Sequence, residues 1–198
     1  MNIKLINVRL SFPALFKPRS FGNSDSGDNT QGEPKYSATF LMDKEKHSDL
    51  IEQIQDGIKA LMDEKYGEGK YKLKAFKSCL RDGVEKEDTE GYGEDIMFVS
   101  ARSAKRIPIV DRDLTPLSEE DGKPYAGCFV NASIRLWVQD NKWGKRVNAA
   151  LRTVQFVKDG EAFGEKPADP EEEFKDLGED EDGDETPRGK KSGKKSML

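Results

Sequence analysis

The clearest pattern in the chain is a strict alternation of apolar and polar positions from Cys128 to Val138. Every second residue from Cys128 onward is apolar, which predicts a strand with one buried face. The opposite face combines two aromatic rings, one guanidinium group and two small polar side chains: Phe129, Asn131, Ser133, Arg135 and Trp137. A face of this kind can stack flat rings and hold a phosphate nearby.

A second strand is predicted over residues 146–157, after a turn indicated by the Asp, Asn and Gly residues of 140–145. The apolar positions of this strand change phase between Leu151 and Val154, and a bulge near Arg152 would explain the change. The two strands therefore form a hairpin. Its turn and the start of its second strand place an indole among three cations: Lys142, Trp143, Lys145 and Arg146.

The preceding part of the chain predicts three more strands and one helix. Residues 3–12, 35–42 and 96–102 alternate, and Pro13 ends the first of these strands because proline offers no amide donor to a partner. Apolar residues recur at spacings of three and four between residues 43 and 66. This spacing predicts one helix that packs its apolar stripe on the sheet.

Several strands, long connections and a single helix favour a mainly β fold. The best match is an OB-fold-like five-stranded barrel with one inserted α-helix, formed by residues 1–164. From Glu165 the composition is reduced to Glu, Asp, Gly, Pro and Lys with few apolar residues. Such a segment cannot bury enough apolar area to offset its ordering entropy, so residues 165–198 are predicted to be a disordered tail.

The formal net charge of −5 originates in this tail. Residues 1–164 hold 26 acidic and 26 basic residues, residues 165–187 hold 12 acidic and 2 basic residues, and residues 188–198 hold 5 basic and no acidic residues. Non-specific DNA binders usually present a basic face. A net-zero domain has such a face only if its acids are segregated, and the acidic runs 85–95 and 119–121 are candidates for that segregation.

Composition also excludes several classes of function. No stretch reaches the roughly 18–20 apolar residues of a transmembrane helix, and the N-terminus lacks the apolar block of a signal peptide, so no membrane association is expected. Cys79 and Cys128 have no metal-ligand spacing and predict free, buried thiols in a reducing cytoplasm. His47 is the only histidine. No nucleophile is paired with a base, so we expect neither an enzyme nor a cofactor.

Binding of single-stranded DNA requires cations along the backbone and aromatic faces for the bases. The candidate DNA-binding residues on the hairpin and the neighbouring strands are Lys35, Tyr36, Phe98, Arg102, Lys105, Arg106, Phe129, Arg135, Trp137, Lys142, Trp143, Lys145, Arg146 and Arg152. An alternative places Phe98, Phe129 and Trp137 in a core under the helix. Tyr36 shares its phase with apolar neighbours, which favours the core, and a surface salt bridge is the alternative for Arg135.

Six segments of the chain together resemble tailed-phage single-stranded DNA-binding proteins, an OB-fold family formerly catalogued as a domain of unknown function. The resemblance covers about residues 1–164, and the matching segments are Arg9–Phe16, Lys35–Phe40, Arg81–Gly83, Ser100–Arg102, Tyr125–Ser133 and Val154–Gly160. It implies an OB-fold protein that coats exposed single strands during phage DNA replication, recombination or repair, in the cytoplasm of an infected bacterium. The motif residues that match are Lys35, Tyr36, Arg102, Asn131 and Gln155, and Asn131 thereby joins the candidate DNA-binding residues.

The acidic run 165–187 resembles the tails by which many such proteins recruit replication partners. The chain departs from that pattern at residues 188–198, which are basic. Single-stranded DNA is thus the expected partner, with duplex DNA and phage or host replication proteins as further candidates. Two rival functions remain: a protein-interaction adaptor that acts through its tail, and a metal-dependent nuclease that uses Asp111 and Asp113.

Overall fold

The computed structural model describes residues 1–20, 32–72, 76–141 and 144–164. Two short 3-10 helices, Gly83–Lys86 and Glu119–Asp121, lie between the strands. The strands and the α-helix in the described residues are β1 (Asn2–Arg19), β2 (Lys35–Asp43), α1 (Ser48–Tyr66), β3 (Leu80–Asp82), β4 (Ile96–Ser103), β5 (Ile109–Val110), β6 (Phe129–Asn141) and β7 (Gly144–Lys158).

Five of these strands close into a barrel in the order β4, β2, β1, β6 and β7. Neighbours along this order are antiparallel, and β4 pairs with β7 in parallel, with Ala101 opposite Ala149, to complete the ring. The short strand β3 adds to β4, and β5 adds to β7. The mainly β, OB-fold-like barrel with one inserted helix that the sequence predicts is therefore confirmed.

The barrel is filled by the apolar phase of each strand, including Leu5, Phe40 and Ile134, which are fully buried. Helix α1 lays its predicted apolar stripe against β1 and β6. Gly57 lies at that contact, where an added Cβ would come within 2.9 Å of the Met1 sulfur. The glycine inside the helix thus allows a close approach of the helix to the barrel.

Strand β1 is longer than predicted, because it continues past Pro13 to Arg19. Its pairing with β2 shifts between Ser11 and Ala14, and Phe12 between them has a φ of +45°. The proline therefore falls in a bulge, where no ladder amide is required of it. The helix begins at Ser48 and not at residue 43.

The predicted β6–β7 hairpin is present, and its strands reach further into the predicted turn 140–145, because β6 continues to Asn141 and β7 begins at Gly144. Ile134 pairs with Leu151, whereas its neighbour Ser133 pairs with Thr153, which leaves Arg152 as the extra residue. The predicted bulge near Arg152 is thus confirmed. The predicted disordered tail lies outside the described residues, and the domain boundary at residue 164 stays a prediction.

Candidate nucleic-acid interface

An open groove of about 1090 Å³ lies where β6, β7 and β4 meet on the outside of the barrel. The segment 77–86, between α1 and β4, forms its other wall. We call this feature the cationic groove. Its basic lining residues are Lys35, Lys77, Arg81, Lys86, Arg102, Arg135 and Arg146.

The lining of this groove is strongly unbalanced in charge. Seven cationic side chains face a single carboxylate, that of Glu85, which is already ion-paired with Arg81. The domain as a whole is neutral, so its acids are indeed segregated away from this face. A concave surface lined by one sign of charge raises the local concentration of a polyanion such as a nucleic acid.

The aromatic side chain of the groove is supplied by β6. Trp137 belongs to the outward phase of the strand and is 42% exposed. Arg135 lies two residues before it, on the same face of β6. On β7, Asn148 pairs with Trp137, and Arg146 lies two residues before Asn148 on the same face of the strand. The period-two pattern of the hairpin therefore places an indole and two guanidinium groups on one outer surface.

A long-range backbone contact brings the second wall into place. The amide of Lys77 donates to the carbonyl of Lys145 at 3.2 Å, and the amide of Val147 donates to the carbonyl of Lys77 at 2.9 Å. This parallel bridge extends the β4–β7 junction and carries Arg81 to the groove. Cys79 lies on the same wall, and burial raises the pKa of its thiol to about 11.

Lys86 occupies the inner part of the second wall in a half-buried position. Its Nζ lies 5.0 Å from the ring centroid of Phe12, 5.5 Å from that of Tyr92 and 5.6 Å from that of Phe98. Burial lowers the pKa of this ammonium group, and the positive charges of Arg81 and Arg102 lower it further. An anion beside Lys86 would relieve this repulsion.

A smaller pocket of about 250 Å³ adjoins the cationic groove and shares Lys86, Ser100 and Arg102 with it. Its outer wall is Phe12, whose residue surface is 52% exposed. Ser37 and Thr39 of β2 also line it. We call this cavity the small pocket.

Five of the predicted DNA-binding residues line the cationic groove, namely Lys35, Arg102, Arg135, Trp137 and Arg146. Lys105, Arg106 and Arg152 are exposed but do not line it. The Lys145 ammonium lies 5.5 Å from the ring centroid of Tyr66, on the side of the barrel where α1 ends. Lys142 and Trp143 lie outside the described residues.

The proposed role of Phe98 requires correction. Its ring is fully buried on the outer side of β4, because Tyr92 packs on it edge-on at 5.2 Å and the Arg81 guanidinium covers it at 5.3 Å. No face of the ring is left for a base. The sequence pattern identified the correct side of the strand but could not show the segment that covers it.

Phe129, Asn131 and Tyr36 also lie outside the groove lining. The Lys158 ammonium covers the ring of Phe129 at 4.6 Å, and Tyr36 is half-buried on the inward phase of β2. The Asn131 Oδ1 accepts from the amide of Asn7 at 2.9 Å.

Asn131 is also joined to Gln155, the other matched motif residue of the hairpin. The Asn131 Nδ2 donates to Gln155 Oε1 at 2.9 Å, and Gln155 Nε2 donates to the carbonyl of Arg112 at 3.2 Å. Asn131 thus connects β6 to β1 and β7, and Gln155 connects β7 to the loop that contains Arg112.

The cationic and aromatic residues of the groove and pocket that sequence reasoning missed are Lys77, Arg81, Lys86 and Phe12. The cations lie in a segment without clear periodicity, and only the long-range pairing with β7 brings that segment to the hairpin. Arg81 and Phe12 both fall within the motif segments, which was the one available indication.

The aspartates proposed for a nuclease are engaged in local contacts. Asp111 accepts from Lys123 Nζ at 2.8 Å, which holds the pKa of its carboxyl below the usual range, and Asp113 accepts from the amide of Thr115. Within the described ranges, no three His, Cys, Asp or Glu side chains are arranged to hold a metal ion. No helix in the described part of the chain is long and apolar enough to cross a membrane.

Comparison with known proteins agrees with these features. The family model described as Enterobacter phage Enc34, ssDNA-binding protein, matches residues 1–186. Protein p50 of Acyrthosiphon pisum secondary endosymbiont phage 1 is 43% identical over 185 residues, which cover 89% of this chain and 94% of that relative.

Solved structures give the same result. The single-stranded DNA-binding protein from bacteriophage Enc34 in complex with ssDNA superposes with a TM-score of 0.69 at 35% identity, over 82% of this chain and 89% of that one. Another structure of the Enc34 protein has a TM-score of 0.67 at 32% identity and covers 88% of this chain and 90% of its own. The resemblance inferred from the six motif segments is confirmed, and the chain belongs to the Enc34 ssDNA-binding protein family.

Proposed function

We propose that this chain binds single-stranded DNA in the cationic groove, without sequence preference. The observation that carries the proposal is the concentration of seven cations and one exposed indole on a single concave surface of a net-neutral domain. Family membership and the ssDNA complex of the Enc34 protein support it.

The chemistry of the groove suits the backbone and the ring faces of DNA better than its base edges. Trp137 offers a stacking surface, which contributes about 1–3 kcal/mol per stacked base. Arg102, Arg135 and Arg146 supply charge-assisted hydrogen bonds to phosphate oxygens. Every nucleotide has a phosphate and a ring face, so binding by these groups is tolerant of sequence.

The role that we propose for the acidic tail rests on its charge alone. A segment of net charge −10 competes with DNA for a cationic surface, so it lowers the apparent affinity and steepens the dependence on salt. The same segment is a candidate docking site for phage or host replication proteins. We place the protein in replication, recombination or repair of phage DNA, in the cytoplasm of the infected host.

The test is a titration of the full chain with fluorescent oligo-dT at 50 and 200 mM salt. We expect binding that quenches tryptophan fluorescence and weakens at the higher salt. The same titration of residues 1–165, which form one compact unit, tests the tail: removal of residues 166–198 should tighten binding. Failure of the full chain and of residues 1–165 to bind at micromolar protein and low salt would overturn the proposal.

A further inference from the structure

The small pocket adds an aromatic wall that a nucleobase can use, beside the indole that the cationic groove offers. Phe12 stands at its mouth as a half-exposed aromatic ring in the β1 bulge, with a φ of +45°. A positive φ is uncommon for a bulky residue and persists only where the surrounding structure imposes it. The bulge in β1 holds the ring at the pocket in place of a regular strand position.

An unsatisfied polar atom lies in the wall of the same cavity. Ser37 is 6% exposed, and its Oγ has no hydrogen-bond partner among the described residues. The neighbouring hydroxyls of the pocket are already used, because Thr39 Oγ1 and Ser100 Oγ bond to each other at 3.0 Å. Buried polar atoms are nearly always paired in native proteins, so an orphan hydroxyl beside a cavity is a candidate partner for a bound group.

Lys86 connects this pocket to the cationic groove, since it lines both. Its ammonium lies 5.0 Å from the Phe12 ring centroid, and Arg102 also lines both cavities. A nucleotide with its base in the small pocket would have its phosphate near Lys86 and Arg102. The next nucleotide would then enter the groove.

We propose that the small pocket is a subsite for one nucleobase of the bound strand, with Phe12 as the stacking platform and the Ser37 hydroxyl as the hydrogen-bond partner. This inference rests on the proposed function, because it requires a DNA strand in the adjoining groove. Phe12 and Ser37 act on the base, whereas the cations of the groove act on the backbone.

The test separates bases from backbone by the choice of ligand. Full-length protein, Phe12→Leu and Ser37→Ala are titrated with oligo-dT and with an oligonucleotide of equal length made of abasic sites. Loss of one stacked base corresponds to a fall in affinity of about 5- to 150-fold. We expect that fall for Phe12→Leu on oligo-dT, a fall of about 2- to 13-fold for Ser37→Ala, and no change for either variant on the abasic strand.

Matched controls come from the same sheet. Ile6→Ala alters an exposed side chain in the other bulged part of β1, and Ser133→Ala removes a half-buried hydroxyl on β6 outside both cavities. Both controls should bind the two ligands like the unaltered protein. Thermal unfolding confirms that each variant is folded, and Ser37→Ala carries the test if Phe12→Leu does not fold.

The outcomes distinguish the subsite from the groove. A base-dependent loss of affinity supports the subsite. Equal losses on both ligands, or unchanged affinity in both variants, would overturn the subsite while the groove remains. Absence of oligo-dT binding by the unaltered protein would instead overturn the proposed function.

Discussion

The outer surface of the β6–β7 hairpin has two ends that look alike in sequence and differ in the folded protein. At one end, the Lys158 ammonium lies over the ring of Phe129, and Asn131 donates a hydrogen bond to Gln155. We call this the clasped end. At the other, Arg135, Trp137, Arg146 and Asn148 line the cationic groove. We call this the groove end.

The difference arises from what packs beside each end. The clasped end meets the Asn7 bulge of β1 and the loop that contains Arg112, which both need hydrogen-bond partners. The groove end meets the segment 77–86, which brings cations and leaves an open space. An aromatic and polar strand face therefore identifies a non-standard surface, and the neighbouring backbone decides whether that surface holds the fold or holds a ligand.

The largest effect on binding is expected from the indole of the groove end. Trp137→Ala should weaken oligo-dT binding by about 1–3 kcal/mol, or about 5- to 150-fold, because a stacking surface is lost. Trp137→Phe should restore most of the affinity. The residue is already 42% exposed, so thermal unfolding should change little. Unchanged affinity in Trp137→Ala, measured by fluorescence anisotropy, would contradict base stacking on Trp137.

A comparable effect, but on stability, is expected at the clasped end. Asn131→Ala should lower the free energy of unfolding by about 1–3 kcal/mol, because the amide of Asn7 and the side chain of Gln155 lose their partner. Urea unfolding measures the change. The folded variant should bind oligo-dT with the affinity of the unaltered protein, and a selective loss of binding would contradict the structural role.

Two arginines of β7 give a smaller and more specific comparison. Arg146 lines the groove, whereas Arg152 forms the bulge outside the groove lining. Arg146→Ala should reduce the slope of log K against log salt by about 0.7, the amount expected for one lost phosphate contact on a single strand. Arg152→Ala should leave the slope unchanged. Equal slopes for the two variants would show that the groove does not define the path of the backbone.

The two thiols provide one chemical probe for each end of the hairpin, and the expected change in their reactivity is the smallest of these effects. Cys79 lines the groove and Cys128 precedes Phe129, and burial raises the pKa of each to about 11. At pH 8 only about one thiol in a thousand is ionised, so both should react slowly with Ellman's reagent and faster as the pH rises toward 11.

DNA should distinguish the two thiols. Bound oligo-dT should slow the reaction of Cys79 further and leave that of Cys128 unchanged. The variants Cys79→Ala and Cys128→Ala assign the two phases of the reaction. Protection of Cys128 alone would contradict the location of the groove.

Local sequence patterns predicted the hairpin and its bulge at Arg152, because alternation and a change of phase are visible in neighbouring residues. They placed Trp137 on the outer face of β6 but left a core position for it open. They could not predict the parallel pairing of β4 with β7 or the bridge from Lys77 to Arg146, since these contacts join distant parts of the chain. The burial of Phe98 was missed for a different reason, because it depends on how the aperiodic segment before β4, with Arg81 and Tyr92, folds over the strand.

The continuation of β1 beyond Pro13 was missed for another reason. It depends on the positive φ of Phe12, a backbone conformation that sequence composition does not indicate for this residue type.

The most direct test of the central claim is a nuclear magnetic resonance titration of the full chain with oligo-dT that follows three side-chain signals. The Trp137 indole and the Asn148 amide report on the groove end, and the Asn131 amide reports on the clasped end. The account predicts that the signals of Trp137 and Asn148 shift as DNA is added, while the signal of Asn131 stays in place. A shift confined to Asn131, with Trp137 and Asn148 unchanged at saturation, would contradict it.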